Sequence, residues 1–118
     1  MTWILRVVFG IAVAVQCLAL YVPTTSGLPE GPPYGDVLVH VVVFAFAVWA
    51  GRSAGLPTGW LVGAFASHAV LSEVIQAVWL FDRVGDVTDV VADLVGVAVG
   101  AMLPVARWPR RRLDTVPR

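Results

Sequence analysis

Arg83-Val84-Gly85-Asp86-Val87-Thr88-Asp89-Val90-Val91-Ala92-Asp93-Leu94-Val95-Gly96, running on to Gly100, is the stretch around which the chain is organised. A short polar turn leads straight into an apolar helix. Asp86, Asp89 and Asp93 follow one another at spacings of three and four, so they share one helix face, and Gly96 and Gly100 continue it. Acids in so apolar a run are costly to keep, which makes them functional candidates by default.

The composition explains why this run is read as a membrane helix. The chain has 118 residues, of which 58% are hydrophobic and 14% charged, with a mean hydropathy of +0.83. An average soluble domain is about 45–50% apolar and about 25% charged. The surplus exceeds what one small water-soluble core can hold, so the expected class is all-α: an integral membrane four-helix bundle. There is no Lys; all eight basic residues are Arg. No basic stripe on a soluble fold is present, so no nucleic-acid partner is expected. Cys17 is the single cysteine and cannot form an intrachain disulfide. Gln16 before it argues against a lipid anchor, which wants a small residue there.

Working outward, four apolar runs are expected as helices over about 3–22, 36–51, 58–81 and 86–106. Residues 1–106 form one transmembrane domain and 107–118 a basic tail. Arg6 ahead of the first run also fits a signal peptide. A retained helix is preferred, because the run is long and no A-x-A site follows. Pro23, Gly27, Pro29, Gly31, Pro32, Pro33 and Gly35 make the first connector a loop. The second run is short and could be re-entrant rather than spanning. Gly51-Arg52-Ser53-Ala54-Gly55-Leu56-Pro57 closes it in a tight turn. Gly59 and Gly63, like Gly96 and Gly100, are small-xxx-small pairs suited to close helix approach. The latter pair is a candidate seam for a homo-oligomer.

Four spans place both termini on one side, together with Arg6, Arg52, Arg107, Arg110, Arg111, Arg112 and Arg118. Only Arg83 falls on the other side. The positive-inside rule makes the termini cytoplasmic. Asp36, His40, Glu73, Gln76, Asp86, Asp89 and Asp93 then gather in the outer half, with Gln16 in the outer half of the first helix. Glu73 and Asp93 lie roughly 10–12 Å below the outer boundary, at 1.5 Å rise per residue. Side chains of this kind want a partner or water rather than lipid, and an outward-open polar pocket would satisfy them together.

The same residues resemble the VanZ family of small bacterial membrane proteins. Asp36 and His40 match an acid and a histidine at the start of one helix. Glu73-Val74-Ile75-Gln76 matches E-x-x-Q late in another. Arg83, Asp86, Asp89, Gly96 and Gly100 match R-x-x-[SD]-x-x-D-x-x-x-N-x-x-G-x-x-x-G in type and spacing. The match covers roughly residues 36 to 100. Two positions depart from the pattern: Val37 stands where a lysine is common, and Asp93 where Asn is usual. The pocket thereby loses a cation and gains an anion, so Asp93 is expected to be protonated, paired with Arg83 or His40, or sharing a cation. The resemblance implies a multi-pass cell-membrane protein of the envelope, associated with glycopeptide and especially teicoplanin resistance.

The candidate ligand-binding set is therefore Asp36, His40, Glu73, Gln76, Arg83, Asp86, Asp89 and Asp93. Several of these also have plain structural readings. Asp86 suits a helix N-terminus. Gln76 and Gln16 suit interhelical hydrogen bonds, and His68 a structural role. Arg83 suits either a surface ion pair or bidentate contact with an anion. The leading functional expectation is binding or modulation of an outer-leaflet lipid or lipid-linked envelope precursor. The alternative is an intramembrane enzyme acting on a lipid-linked phosphate. His40, Glu73, Asp89 and Asp93 are N/O donors of the kind a divalent metal takes. No motif such as H-E-x-x-H is present, so no metal or cofactor is assigned. Transport by a single copy is disfavoured, because the inner half offers no polar path beyond His68.

Overall fold

A computed structural model describes residues 2–22, 34–79 and 87–106. They form four helices: α1 (Thr2–Tyr21), α2 (Gly35–Ser53), α3 (Thr58–Trp79) and α4 (Val87–Met102). Among the described residues there is no strand. The helices run up, down, up, down. Phe9 meets Phe65 and Gln76 meets Leu20, so α1 and α3 run parallel. His40 meets Asp93 and Arg52 meets Leu103, so α2 and α4 run parallel in the opposite sense. α2 lies at the centre and packs most extensively on α4.

α1, α2 and α3 are long and apolar enough to cross a membrane. Where the side chains sit points the same way. Trp60, Trp79, Val87 and Met102 are turned outward, while Gln16, His40, Ser72, Glu73, Gln76 and Asp93 are buried. A water-soluble bundle would reverse this, because it gains stability by hiding apolar surface. In lipid the apolar face needs no hiding, and the polar groups are the ones driven inward. The second run is a full helix of 19 residues, longer at both ends than its apolar core. It is long enough to cross a membrane.

Each turn has a local cause. α2 ends at Ala54 and Gly55, where Gly55 takes φ +91. Its N–H donates to Arg52 O and that of Leu56 donates to Gly51 O, both at 3.0 Å. That pair of bonds is a Schellman closure, which favours glycine at the left-handed position. α4 stops at Met102, four residues short of the expected Ala106. Pro104 disfavours a helical conformation at Leu103. The last carbonyls of α4 are instead taken by α2: Arg52 Nη1 donates to Gly100 O at 3.0 Å and to Leu103 O at 2.6 Å. Trp49 Nε1 donates to Pro104 O at 2.8 Å. Arg52 thus caps a neighbouring helix at its negative end, a role that counting charges for topology does not disclose.

The two glycine pairs behave differently. At Gly96 an added Cβ would lie 2.5 Å from Val41 O and 2.8 Å from Phe44 Cβ. At Gly100 it would collide with Ala45 O. This pair is therefore packed against α2 of the same chain. Gly59 and Gly63 have no atom within 4 Å of an added Cβ and face outward. Among the described residues they are not used for packing.

These contacts make a paired prediction. Gly96→Ala and Gly100→Ala force α4 off the α2 backbone and are expected to cost about 1–3 kcal/mol, as overpacking does. Gly59→Ala and Gly63→Ala are expected to be neutral or slightly stabilising, because Ala is the better helix former. Reversible unfolding in mixed micelles measures all four.

Candidate functional site

The polar side chains collect at one end of the bundle, where α1 and α3 finish and α2 and α4 begin. Helical spacing fixes which of them point inward. On α4, Asp93, Gly96, Val97 and Gly100 are buried with Ala92, so the acid stands on the packed face toward α2. On α2, His40, Phe44, Ala47 and Val48 are buried. On α3 the inward positions are Ala69, Ser72, Glu73 and Gln76. Because Gly96 and Gly100 hold the α4 backbone against α2, the side chain one turn above, Asp93, is brought to His40.

The centre of the site is one hydrogen bond. His40 Nδ1 donates to Asp93 Oδ1 at 2.8 Å, with both side chains buried. The other ring nitrogen, Nε2, faces Asp89 Oδ2 at 3.9 Å. Glu73 of α3 completes the group: one ligand-type atom from each of His40, Glu73 and Asp93 lies within 4.8 Å of the others. His40, Asp89 and Asp36 meet the same limit on the outer side. Exposure falls steadily inward. Asp36 is exposed and Asp89 half-buried, whereas His40, Glu73 and Asp93 are 2%, 7% and 0% exposed. The expected outward-open pocket is, among the described residues, a closed group with acids leading up to it. Asp36 and Asp89 sit in the first turns of α2 and α4, where the helix dipoles favour negative charge.

A second network adjoins the first. Gln16 Nε2 donates to His68 Nδ1 at 3.4 Å. That leaves the imidazole proton on Nε2, which donates to Tyr21 Oη at 2.9 Å. Phe44 lies against His68 with ring centroids 5.8 Å apart. Gln76 Nε2 donates to Leu20 O at 3.0 Å, satisfying a carbonyl in the last turn of α1. Ser72 Oγ donates back to Ala69 O at 3.0 Å. Gln16, Gln76 and His68 thus bind helix to helix, as their structural reading expects, and Gln76 is occupied by α1 rather than turned toward a ligand.

Of the eight candidate residues, the structure brings together Asp36, His40, Glu73, Asp89 and Asp93. Gln76 is buried one turn from Glu73 on α3. Arg83 and Asp86 lie outside the described residues, and the observed partner of Asp93 is His40. Tyr21 is the polar residue that reading the chain missed. It closes an apolar run, and nothing local ties it to a histidine 47 positions away. Open grooves lie elsewhere, on the outward side of α3 around Gly59, Trp60 and Gly63, and between α1 and α3 around Phe9 and Leu61. Both are lined by apolar and small residues and hold none of the acids. No family model, curated protein or solved structure matches the chain.

The arrangement can accept hydrogen bonds and positive charge far better than it can hold an anion. It also predicts energetic coupling. His40→Ala and Asp93→Ala are each expected to destabilise by about 3–5 kcal/mol, since each strands a buried partner. The double variant is expected to cost less than their sum by about 0.5–3 kcal/mol. Asp36→Ala, on the exposed rim, is expected to stay within about 0.5 kcal/mol. A double-mutant cycle read by unfolding in mixed micelles tests this, and strict additivity would contradict the His40–Asp93 bond.

Proposed function

We propose that the chain is a multi-pass membrane protein of the bacterial cell envelope, VanZ-like, with both termini cytoplasmic. Its acid-rich end binds the polar head of an outer-leaflet lipid or a lipid-linked envelope precursor. The observation that carries this reading is the gathering of Asp36, His40, Glu73, Asp89 and Asp93 at one end of a bundle whose outside is apolar. Such a cluster in lipid demands a function or a partner, because carboxyl groups there are expensive. Arg52 lies at the other end, in the last turn of α2, and Arg6 in the first turns of α1. With the arginines of the tail they support the orientation through the positive-inside rule.

The chemistry narrows the ligand. Carboxylates accept hydrogen bonds and repel phosphate, so the inner groups suit hydroxyl, amide or ammonium donors of a head group. Asp89 and Asp36 form the approach. Arg83, next to the start of α4 in sequence, is a cation suited to an anionic link such as a phosphate. A sugar- or amino-bearing lipid presents both parts at once. By resemblance to VanZ proteins, the physiological outcome is altered sensitivity to glycopeptides, teicoplanin above all.

Native mass spectrometry of the protein released from its own membrane tests the reading. The wild type is expected to carry one lipid or lipid-linked precursor rich in hydroxyl or amine groups. Asp89→Asn and Arg83→Gln are expected to lose it while keeping their helix content, and to reduce any teicoplanin phenotype in step. Full lipid occupancy and full phenotype in both variants would overturn the proposal.

A further inference from the structure

Both groups of clustered histidine and acid share His40, and the inner one is the more unusual. His40, Glu73 and Asp93 come from three different helices and are at least nine-tenths buried. Among the described residues, Asp93 Oδ2 is sealed from solvent and accepts no hydrogen bond. A buried acceptor without a donor costs about 1–3 kcal/mol, and more if it is charged. Two carboxyl groups and an imidazole converging from three helices inside an apolar bundle form a set of donors that a cation can share.

We propose that His40, Glu73 and Asp93 bind one divalent cation of the Zn²⁺ or Mn²⁺ class, through His40 Nδ1 and one carboxylate oxygen from each acid. The donor set argues for this class. One imidazole with two carboxylates is too nitrogen-rich for Mg²⁺ or Ca²⁺, and it lacks the thiolates that soft ions seek. A divalent ion balances two carboxylates and a neutral imidazole with no residual charge in the bundle. Size permits it as well. The three donor atoms lie within 4.8 Å of one another. Ligands set tetrahedrally on one ion at about 2.0–2.2 Å lie about 3.3–3.6 Å apart, so the widest pair must close by up to about 1.5 Å, within reach of side-chain rotation. His40 Nδ1 and Asp93 Oδ1, hydrogen-bonded at 2.8 Å, part by about half an ångström to admit the ion between them.

The cation also explains the second acid. Coordination uses the lone pair of His40 Nδ1, so the imidazole proton that now points to Asp93 must sit on Nε2 instead. The proton changes nitrogen and none is lost from a neutral ring. Nε2–H then has Asp89 Oδ2 before it, 3.9 Å away. A ligating histidine commonly gives its other N–H to a carboxylate, which orients the ring and raises its basicity. Asp89 is therefore a positioning residue, and Asp36 belongs to the rim outside the set. The site depends on no particular lipid, so the lipid reading and this one fail separately.

The test uses the full chain in phosphatidylcholine nanodiscs, stripped with chelator and titrated with ZnCl₂ or MnCl₂ alone. The wild type is expected to retain one equivalent of at least one of these ions per chain after gel filtration. Glu73→Gln and Asp93→Asn are expected to weaken binding by more than about tenfold, and Asp89→Asn by about 10–100-fold. Asp36→Asn is expected to stay within about twofold, as befits a residue off the metal. The chain has two histidines, so ¹⁵N-histidine spectra resolve the geometry: Zn²⁺ should place His40 Nδ1 in the metal-bound range with the proton on Nε2, leaving His68 unchanged. In Asp89→Asn at saturating Zn²⁺, Nδ1 should stay metal-bound while the Nε2–H resonance loses its hydrogen-bonded shift. A wild type that binds neither ion overturns the proposal. Binding lost in Asp36→Asn but kept in Glu73→Gln, or a metal-bound shift at Nε2, also overturns it. The wild-type titration and spectrum decide the matter even where a variant fails to fold.

Discussion

The contact between the backbones of α2 and α4 is the constraint on which the polar end depends. Gly96 and Gly100 leave no room for a Cβ between α4 and the Val41–Ala45 segment of α2. With the axes that close, the side chain a turn nearer the start of α4 cannot avoid His40. Asp93 then forms its 2.8 Å bond, and Asp89 comes to the other edge of the same ring. In lipid this packing has no hydrophobic driving force behind it. Fit of backbone to backbone and the interhelical hydrogen bonds must hold the pair, and the two are coupled: the bond forms because the helices touch, and the helices are kept in register because the bond would be costly to break.

The other end of the same pair is held by different chemistry. Arg52 and Trp49 of α2 take up carbonyls at the end of α4, and Ser53 accepts a hydrogen bond from Ala106 N. One helix pair is thus pinned at both ends by polar contacts and along its middle by glycine. α1 and α3 attach around it through Phe9, Phe44 and Phe65 and through the Gln16–His68–Tyr21 network. At the opposite end from Arg52, His40, Glu73 and Asp93 gather with their outer neighbours Asp89 and Asp36.

Much of this was legible before any coordinates. Runs of about 20 apolar residues broken by Pro and Gly mark the helices. The i, i+3 and i, i+4 spacing along Asp89, Asp93, Gly96 and Gly100 marks the working face of α4. The acids and histidine stood out because they are few in an apolar chain. Less legible was the use of each group. Two glycine pairs of the same pattern look equivalent in sequence, yet Gly96 and Gly100 are covered whereas Gly59 and Gly63 face outward. Arg52 reads as a topology signal and acts as a helix cap. Gln76 reads as a candidate ligand and is taken by Leu20 O.

What the amino-acid sequence determined by itself is the class of structure and the stock of polar groups inside it. Hydropathy and helical period are local properties, set by which residues follow which along one helix. Tertiary structure alone decided which of those groups meet. Pairings such as His40 with Asp93 or Tyr21 with His68 join residues 53 and 47 positions apart. They depend on the depth and rotation of one helix against another, and those follow from side-chain volumes summed over a whole interface, which no short stretch of sequence contains.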